Sequence, residues 1–143
     1  MPKKKLIKVF TNGCFDILHI GHVEYLKAAR KRGDYLIVGL NSDSSVRQLK
    51  GPLRPINSFI DRSSVLLALT CVDEVIEFDE LTPINLIKRL KPDVLVKGGD
   101  YNAESVIGYD YVTSNGGSVV VEKFIPGKST SIIIEKIQKW QNM

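Results

Sequence analysis

His19 and His22 are the only two histidines in 143 residues, and they stand three positions apart in the stretch TNGCFDILHIGH, Thr11 to His22. That spacing puts two side chains on one face of a helical turn. Gly21 between them removes a side chain, so a ligand can come close to the backbone. A helix beginning here would also turn unpaired N–H groups and its positive dipole end toward the same place. Two imidazole donors beside a helix start suit phosphate, and suit the stabilising of charge that develops on it. Two other readings stay open at this point. The pair could simply start or pack a helix, or it could bind zinc, although even with Asp16 it offers too few ligands.

Three further segments carry candidate chemistry. Lys50-Gly51-Pro52-Leu53-Arg54-Pro55, with Arg62 beyond it, reads as a loop stiffened by glycine and proline that holds up cations. Over a phosphate site these cations would offset a polyphosphate; standing alone they would be solvated turn charges. Gly127-Lys128-Ser129-Thr130-Ser131 precedes an apolar run. Hydroxyls and free N–H groups at such a helix start bind phosphate, and they equally serve as plain caps. Lys97-Gly98-Gly99-Asp100-Tyr101 closes another apolar run. Neither GxGxxG nor GxxxxGK[ST] occurs, so no dinucleotide fingerprint and no P-loop is supported.

The elements that must position these residues alternate between strand and helix. LIKVF, YLIVGLN, EVIEF, DVLVKGG and SVVVEKF read as strands. HVEYLKAARKRG, SDSSVRQLK, DRSSVLLALTCV, PINLIKRL, a stretch between Ala103 and Asn115, and SIIIEKIQKW read as helices, with Pro83 at a first helical position. Such alternation predicts an α/β fold, a parallel sheet covered by helices on both faces. In these sheets ligands bind beyond the carboxyl ends of the strands. The polar candidates do follow strands. Thr11, Asn12 and Gly13, then Asp16 and the histidines, come after the first, and Asn41, Ser42 and Asp43 after the second. Gly98 to Tyr101 come after the fourth, and Gly127 to Ser131 after the fifth. Four segments are thus expected to meet on one rim.

Composition limits the rest. Length fits one domain over residues 1–143, with 43% apolar and 25% charged residues. No apolar run is long enough to span a membrane. The basic start MPKKK is followed only by LIKVF, too short for a signal peptide, so a cytoplasmic protein is expected. The net charge of +4 is spread without a basic stripe, which argues against nucleic acid. Cys14 and Cys71 read as two covered thiols.

Taken together, TNGCFDILHIGH, the late STS before a helix and the alternation resemble the HxGH nucleotidyltransferases over nearly the whole chain. FTNGCFDILHIGHVEYL, LIVGLNSDSSVRQLKGPLRPI, Asp61-Arg62, DVLVKGGDY and STSIIIEKI are similar to the D-glycero-D-manno-heptose-1-phosphate adenylyltransferases, in a form without the sugar kinase that precedes this domain in many bacteria. The resemblance implies a Rossmann-like three-layer sandwich with a mostly parallel five-stranded sheet. It implies ATP and a sugar 1-phosphate as partners, with Mg2+ arriving with ATP and no residue assigned as its ligand. No nucleic acid or membrane partner is implied, and a homodimer is compatible with it. His19, His22 and Lys50 would be catalytic. Thr11, Asn12, Gly13, Cys14, Phe15 and Gly21 would touch the nucleotide, as would Arg62, Lys97, Gly98, Ser129, Thr130 and Ser131. Asp16, Arg54, Gly99, Asp100 and Tyr101 would serve the sugar phosphate or its metal. Related glycerol-3-phosphate cytidylyltransferases carry an arginine where this chain has Phe124-Ile125-Pro126, and Lys128 is the candidate to replace that charge. Cytidylyl transfer to a small phosphorylated alcohol is therefore the alternative, and nucleotide or RNA binding without turnover the alternative of another class.

A phosphate monoester is largely ionised near neutral pH, its second pKa being about 6. Such an acceptor needs no nucleophile from the enzyme. What remains is alignment and charge stabilisation.

Overall fold

A computed structural model describes residues 5–142; the basic Met1–Lys4, read above for targeting, lies outside the described residues. Five strands alternate with helices: β1 Lys8–Gly13, β2 Tyr35–Asn41, β3 Glu74–Phe78, β4 Val94–Gly98 and β5 Ser118–Glu122. The helices are α1 Ile20–Arg30, α2 Asp43–Lys50, α3 Phe59–Leu67, α4 Ile84–Leu90, α5 Tyr109–Ser114 and α6 Thr130–Trp140. The strand order is β3-β2-β1-β4-β5, and every pairing is parallel, so the sheet is wholly rather than mostly parallel.

Side-chain alternation along the central strands builds a core on each face. Val9, Leu36, Val38 and Val96 point one way and pack with Tyr25, Leu26 and Ala29 of α1 and Leu66 of α3. Phe10, Ile37 and Leu95 point the other way, against Leu86 and Ile87 of α4 and Val112 of α5. Each fully covered Leu or Val contributes about 1.5–3 kcal/mol, which is why these short apolar strands are the centre of the fold. At the opposite end from the candidate residues, the carboxylates of Asp34, Asp93 and Asp73 accept the backbone N–H groups of Ile7, Lys8 and Leu36 and tie the incoming chain to the strands.

Three local expectations shift. Helix α1 begins at Ile20, because His19 rather than a later residue caps it. Pro83 is the N-cap of α4 and not its first helical residue. The single helix expected between Ala103 and Asn115 is divided into a 3-10 turn at Ala103–Ser105 and α5. Gly108 makes the break at φ 97°, and a Cβ there would lie 2.9 Å from Ile87 Cδ1.

The chain runs from central β1 outward to β2 and β3, then returns to β4 on the other side of β1. The topological switch therefore falls between β1 and β4. Their register is short, Val9 with Val94 and Phe10 with Leu95, so the strands part toward their carboxyl ends. The Tyr25 phenol fills the parting. It donates to the Val96 carbonyl at 3.1 Å and meets the Thr11 hydroxyl.

Candidate active site

Above this switch lies a cavity of about 550 Å³. Its lining draws on Asn12 to Asp16 at and just beyond the end of β1, His19, His22 and Tyr25 from the cap and first turns of α1, Asn41 at the end of β2, Lys50, Arg54, Lys97 and Gly98 at the end of β4, and Phe124 and Lys128 to Ser131. The expected rim is thus one surface.

His19 is the N-cap of α1 with extended backbone, and its Nδ1 accepts the Gly21 N–H at 3.0 Å. His22 Nδ1 accepts the His19 N–H at 3.4 Å. The two rings stack with centroids 3.8 Å apart, and the Phe15 ring meets His22 edge-on at 5.2 Å. Burial first, then neighbouring His19, pushes the His22 pKa down from 6.5 to about 4. His19 is lowered by burial and by the Lys128 ammonium. Both rings are therefore neutral at pH 7. Because each Nδ1 accepts, the one proton of each ring is assigned to Nε2. Two neutral N–H donors result, placed at a helix start.

Gly21 has a different reason from the one its spacing suggested. A Cβ there would lie 2.8 Å from His19 Cε1 and 3.4 Å from Lys128 Cβ. Glycine lets the His19 ring fold back over the first turn and lets Lys128 approach.

Charge in the cavity is cationic. Lys50 ends α2, Lys97 sits one residue from the end of β4, and Lys128 precedes α6. Among the described residues none of these three lysines pairs with a carboxylate. Burial lowers the Lys97 pKa, with Cys14 acting against and Lys50 adding to the effect. The Cys14 thiol is raised, chiefly by burial. The one carboxylate in the lining, Asp16, is engaged by Arg54 Nε at 2.7 Å and by the N–H groups of Ile56 and Asn57. Burial alone would raise its pKa, but those bonds from Asn57, Ile56 and Arg54 outweigh it and hold it low. At α6 the Ser129 hydroxyl accepts the Ile132 N–H, and Thr130 Oγ1 donates to the Ile17 carbonyl. The helix start is thus capped and still lines the cavity.

Some expected site residues lie elsewhere. Arg62 is 2% exposed and sits beneath the cavity. Its guanidinium donates to the carbonyls of Asn57, Cys14 and Asn41 and to the Asp43 carboxylate. Thr11 is fully buried against Tyr25. Gly99 prolongs the β4–β5 pairing through the Glu122 carbonyl, and Asp100 is exposed outside the lining. Tyr101 borders a neighbouring hollow of about 240 Å³ that shares Asn12 and Lys97 with the main cavity. Asn41 lies in the lining as its place after β2 suggested, and the residues not anticipated are Tyr25, Leu49, Leu81, Pro83, Ile107 and Phe124. Tyr25 was readable, since it follows His22 by one helical step of three. The apolar members carry no signal of their type.

As for a resident cation, among the described residues no group of three His, Cys, Asp or Glu is arranged to hold one. With Asp16 engaged, the donors present do not fit a protein-held metal.

The cytidylyltransferase-like family model matches residues 10–136. The chain belongs to the cytidylyltransferase-like family. Within this family it is a nucleotidyltransferase. It is 59% identical over 130 residues to the bifunctional protein HldE of Geotalea uraniireducens, covering 91% of this chain and 26% of that protein. It is 57% identical to HldE of Syntrophotalea carbinolica, over 90% of this chain and 26% of the relative, and 58% identical to HldE of Campylobacter fetus, over 91% and 28%. The chain spans about a quarter of the length of these curated relatives. Among solved structures it resembles a lipopolysaccharide core biosynthesis protein from Thermoplasma volcanium, with a TM-score of 0.69, 30% identity, and coverage of 85% of this chain and 98% of that one. Thermotoga maritima TmcAL bound with alpha-thio ATP shares the fold, with a TM-score of 0.66 at 13% identity, over 94% of this chain and 51% of that one. No helix among the described residues of this cytidylyltransferase-like chain is long and apolar enough to cross a membrane.

Proposed function

We propose that the chain is an adenylyltransferase that joins ATP and D-glycero-D-manno-heptose 1-phosphate to give ADP-heptose and pyrophosphate. The observation that carries the reaction type is the pair of neutral Nε2–H donors of His19 and His22 beside three lysines without carboxylate partners among the described residues. The choice of heptose is supported by LKGPLRPI and LVKGGDY, by identity to proteins named HldE, and by likeness to a lipopolysaccharide core biosynthesis protein.

In this reading an oxygen of the sugar phosphate attacks the α-phosphorus of ATP. A new P–O bond forms, the bond from the α-phosphorus to the bridging oxygen breaks, and pyrophosphate leaves with the electron pair. His19 and His22 donate to phosphoryl oxygens that gain charge at the transition state. Lys50 and Lys128 offset the triphosphate, and the start of α6 receives a phosphate with its free N–H groups. Mg2+ enters as part of the substrate Mg-ATP.

The test is pyrophosphate release by the purified protein with Mg2+, across ATP or CTP and heptose 1-phosphate or glycerol 3-phosphate. ATP with heptose 1-phosphate is expected to be strongly preferred, because a site built to bond hydroxyls rejects acceptors that lack them. Preference for CTP and glycerol 3-phosphate would end the heptose assignment and leave the reaction type standing.

A further inference from the structure

The segment between α2 and α3, residues 51–58, borders the cavity without helix or strand of its own. Its middle is fastened at one carboxylate. Asp16 Oδ2 accepts Arg54 Nε at 2.7 Å and the Ile56 N–H at 2.8 Å, and Oδ1 accepts the Asn57 N–H at 2.9 Å. Asp16 is 2% exposed. With three charge-assisted bonds already made in a covered position, it has little capacity left for a sugar hydroxyl or a cation. Arg54 uses only Nε in this pair. Among the described residues neither terminal nitrogen of its guanidinium donates to a protein acceptor, and the residue lines the cavity. A guanidinium anchored at Nε keeps its outer fork for the oxygens of a phosphate.

We propose that Asp16 is a positioning residue that works through Arg54, fastening the 51–58 loop and presenting the free edge of the Arg54 guanidinium to a substrate phosphate. The proposal rests on the adenylyl-transfer reading only for which phosphate that is. It separates Asp16 from both the sugar and the metal, the roles the resemblance implied.

Asp16→Asn, Arg54→Ala and the double variant test it with two kinds of measurement. Trypsin cleavage at the Lys50–Gly51 bond of folded, ligand-free protein requires no substrate. It should be about tenfold faster or more in Asp16→Asn, because local opening exposes the loop. Unchanged cleavage overturns the tether. In pyrophosphate release, each single variant should lose about tenfold in kcat/KM, and the double variant should be within about threefold of Arg54→Ala, since residues acting as a unit are not additive. The Mg2+ concentration for half-maximal rate should be the same in all. Losses that multiply, or a raised Mg2+ requirement in Asp16→Asn, overturn the proposal in favour of a direct role. Where Asp16→Asn does not fold, Arg54→Lys takes its place. It keeps the charge without the fork, so it should lose as much turnover as Arg54→Ala, and wild-type turnover overturns the proposal. If no nucleotide and acceptor pair turns over, the heptose reading falls separately. Calorimetric binding of inorganic pyrophosphate then decides, weakened alike in Asp16→Asn and Arg54→Ala if the proposal holds and unchanged if it does not.

Discussion

The imidazoles of His19 and His22 lie 3.8 Å apart, centroid to centroid, with 27° between their planes. Stacking at this distance is compatible with two neutral rings and costly for two charged ones. The backbone enforces it, since each Nδ1 is held by an N–H from the same helical turn.

The first prediction concerns protonation. With only two histidines, nitrogen-detected NMR should resolve both rings as Nε2–H tautomers at pH 7. His22 should titrate near 4 and His19 below 6.5. The unfolded chain takes up a proton on each near 6.5, so between that pH and the folded values the unfolded state binds more protons. Stability should therefore fall as pH drops through that window and be complete above it. An imidazolium or an Nδ1–H tautomer for either ring at pH 7 would remove the neutral-donor mechanism, and an ordinary titration of His22 near 6.5 would remove the pH dependence expected of its burial.

Side-chain replacement separates the two roles of His19. His22→Ala should reduce turnover on the order of 100-fold, as loss of one charge-stabilising donor does. His19→Ala should do the same and also cost about 1 kcal/mol of stability, because a helix cap is lost. His19→Asn restores a capping oxygen, so thermal unfolding should recover while turnover stays low. Recovery of both would reduce His19 to a cap.

Lys50 is tested by ATP affinity. Lys50→Ala should weaken ATP binding or turnover by about tenfold, the loss of one charge-assisted bond. Wild-type kinetics would return Lys50 to an ordinary charge at a helix end.

Arg62 should behave as a structural residue. Arg62→Met leaves three carbonyls and the Asp43 carboxylate without their donor, at a cost of about 2–4 kcal/mol in denaturant unfolding. A variant as stable as wild type would reopen its assignment to the nucleotide.

The strands were legible because Val9 to Phe10, Leu36 to Leu40 and Val94 to Val96 are apolar runs covered on both faces. The histidine pair was legible because its chemistry and helical spacing reside in four consecutive residues. Arg62 and Asp16 were not, since all but one of the partners of Arg62 lie 19 to 48 positions away and those of Asp16 lie 38 to 41 away, and a charged residue's type does not reveal whether it faces a ligand or the chain itself. Gly108 hid for the same reason. Its need to be glycine comes from Ile87, which is distant in sequence.

The central place of β1 has a consequence for the order in which the protein is made. Within this domain β1, α1, β2 and α2 emerge before the remaining elements, carrying both histidines and Lys50, and β2 can pair with β1 at once. The other wall of the crevice cannot exist until β4 docks on the free edge of β1, with Asp93 reaching back 85 positions to the Lys8 N–H. Contacts of such separation form late, because the intervening loop must be closed before they return any stabilisation. A nascent chain holding every catalytic candidate from the first half therefore still lacks the part of the cavity that β4, Phe124 and Lys128 to Ser131 supply. The crevice gains its second wall only with Lys97 and α6, the last elements of this domain to emerge, and from then on any ligand that touches both walls would draw the two halves of the sheet together by mass action.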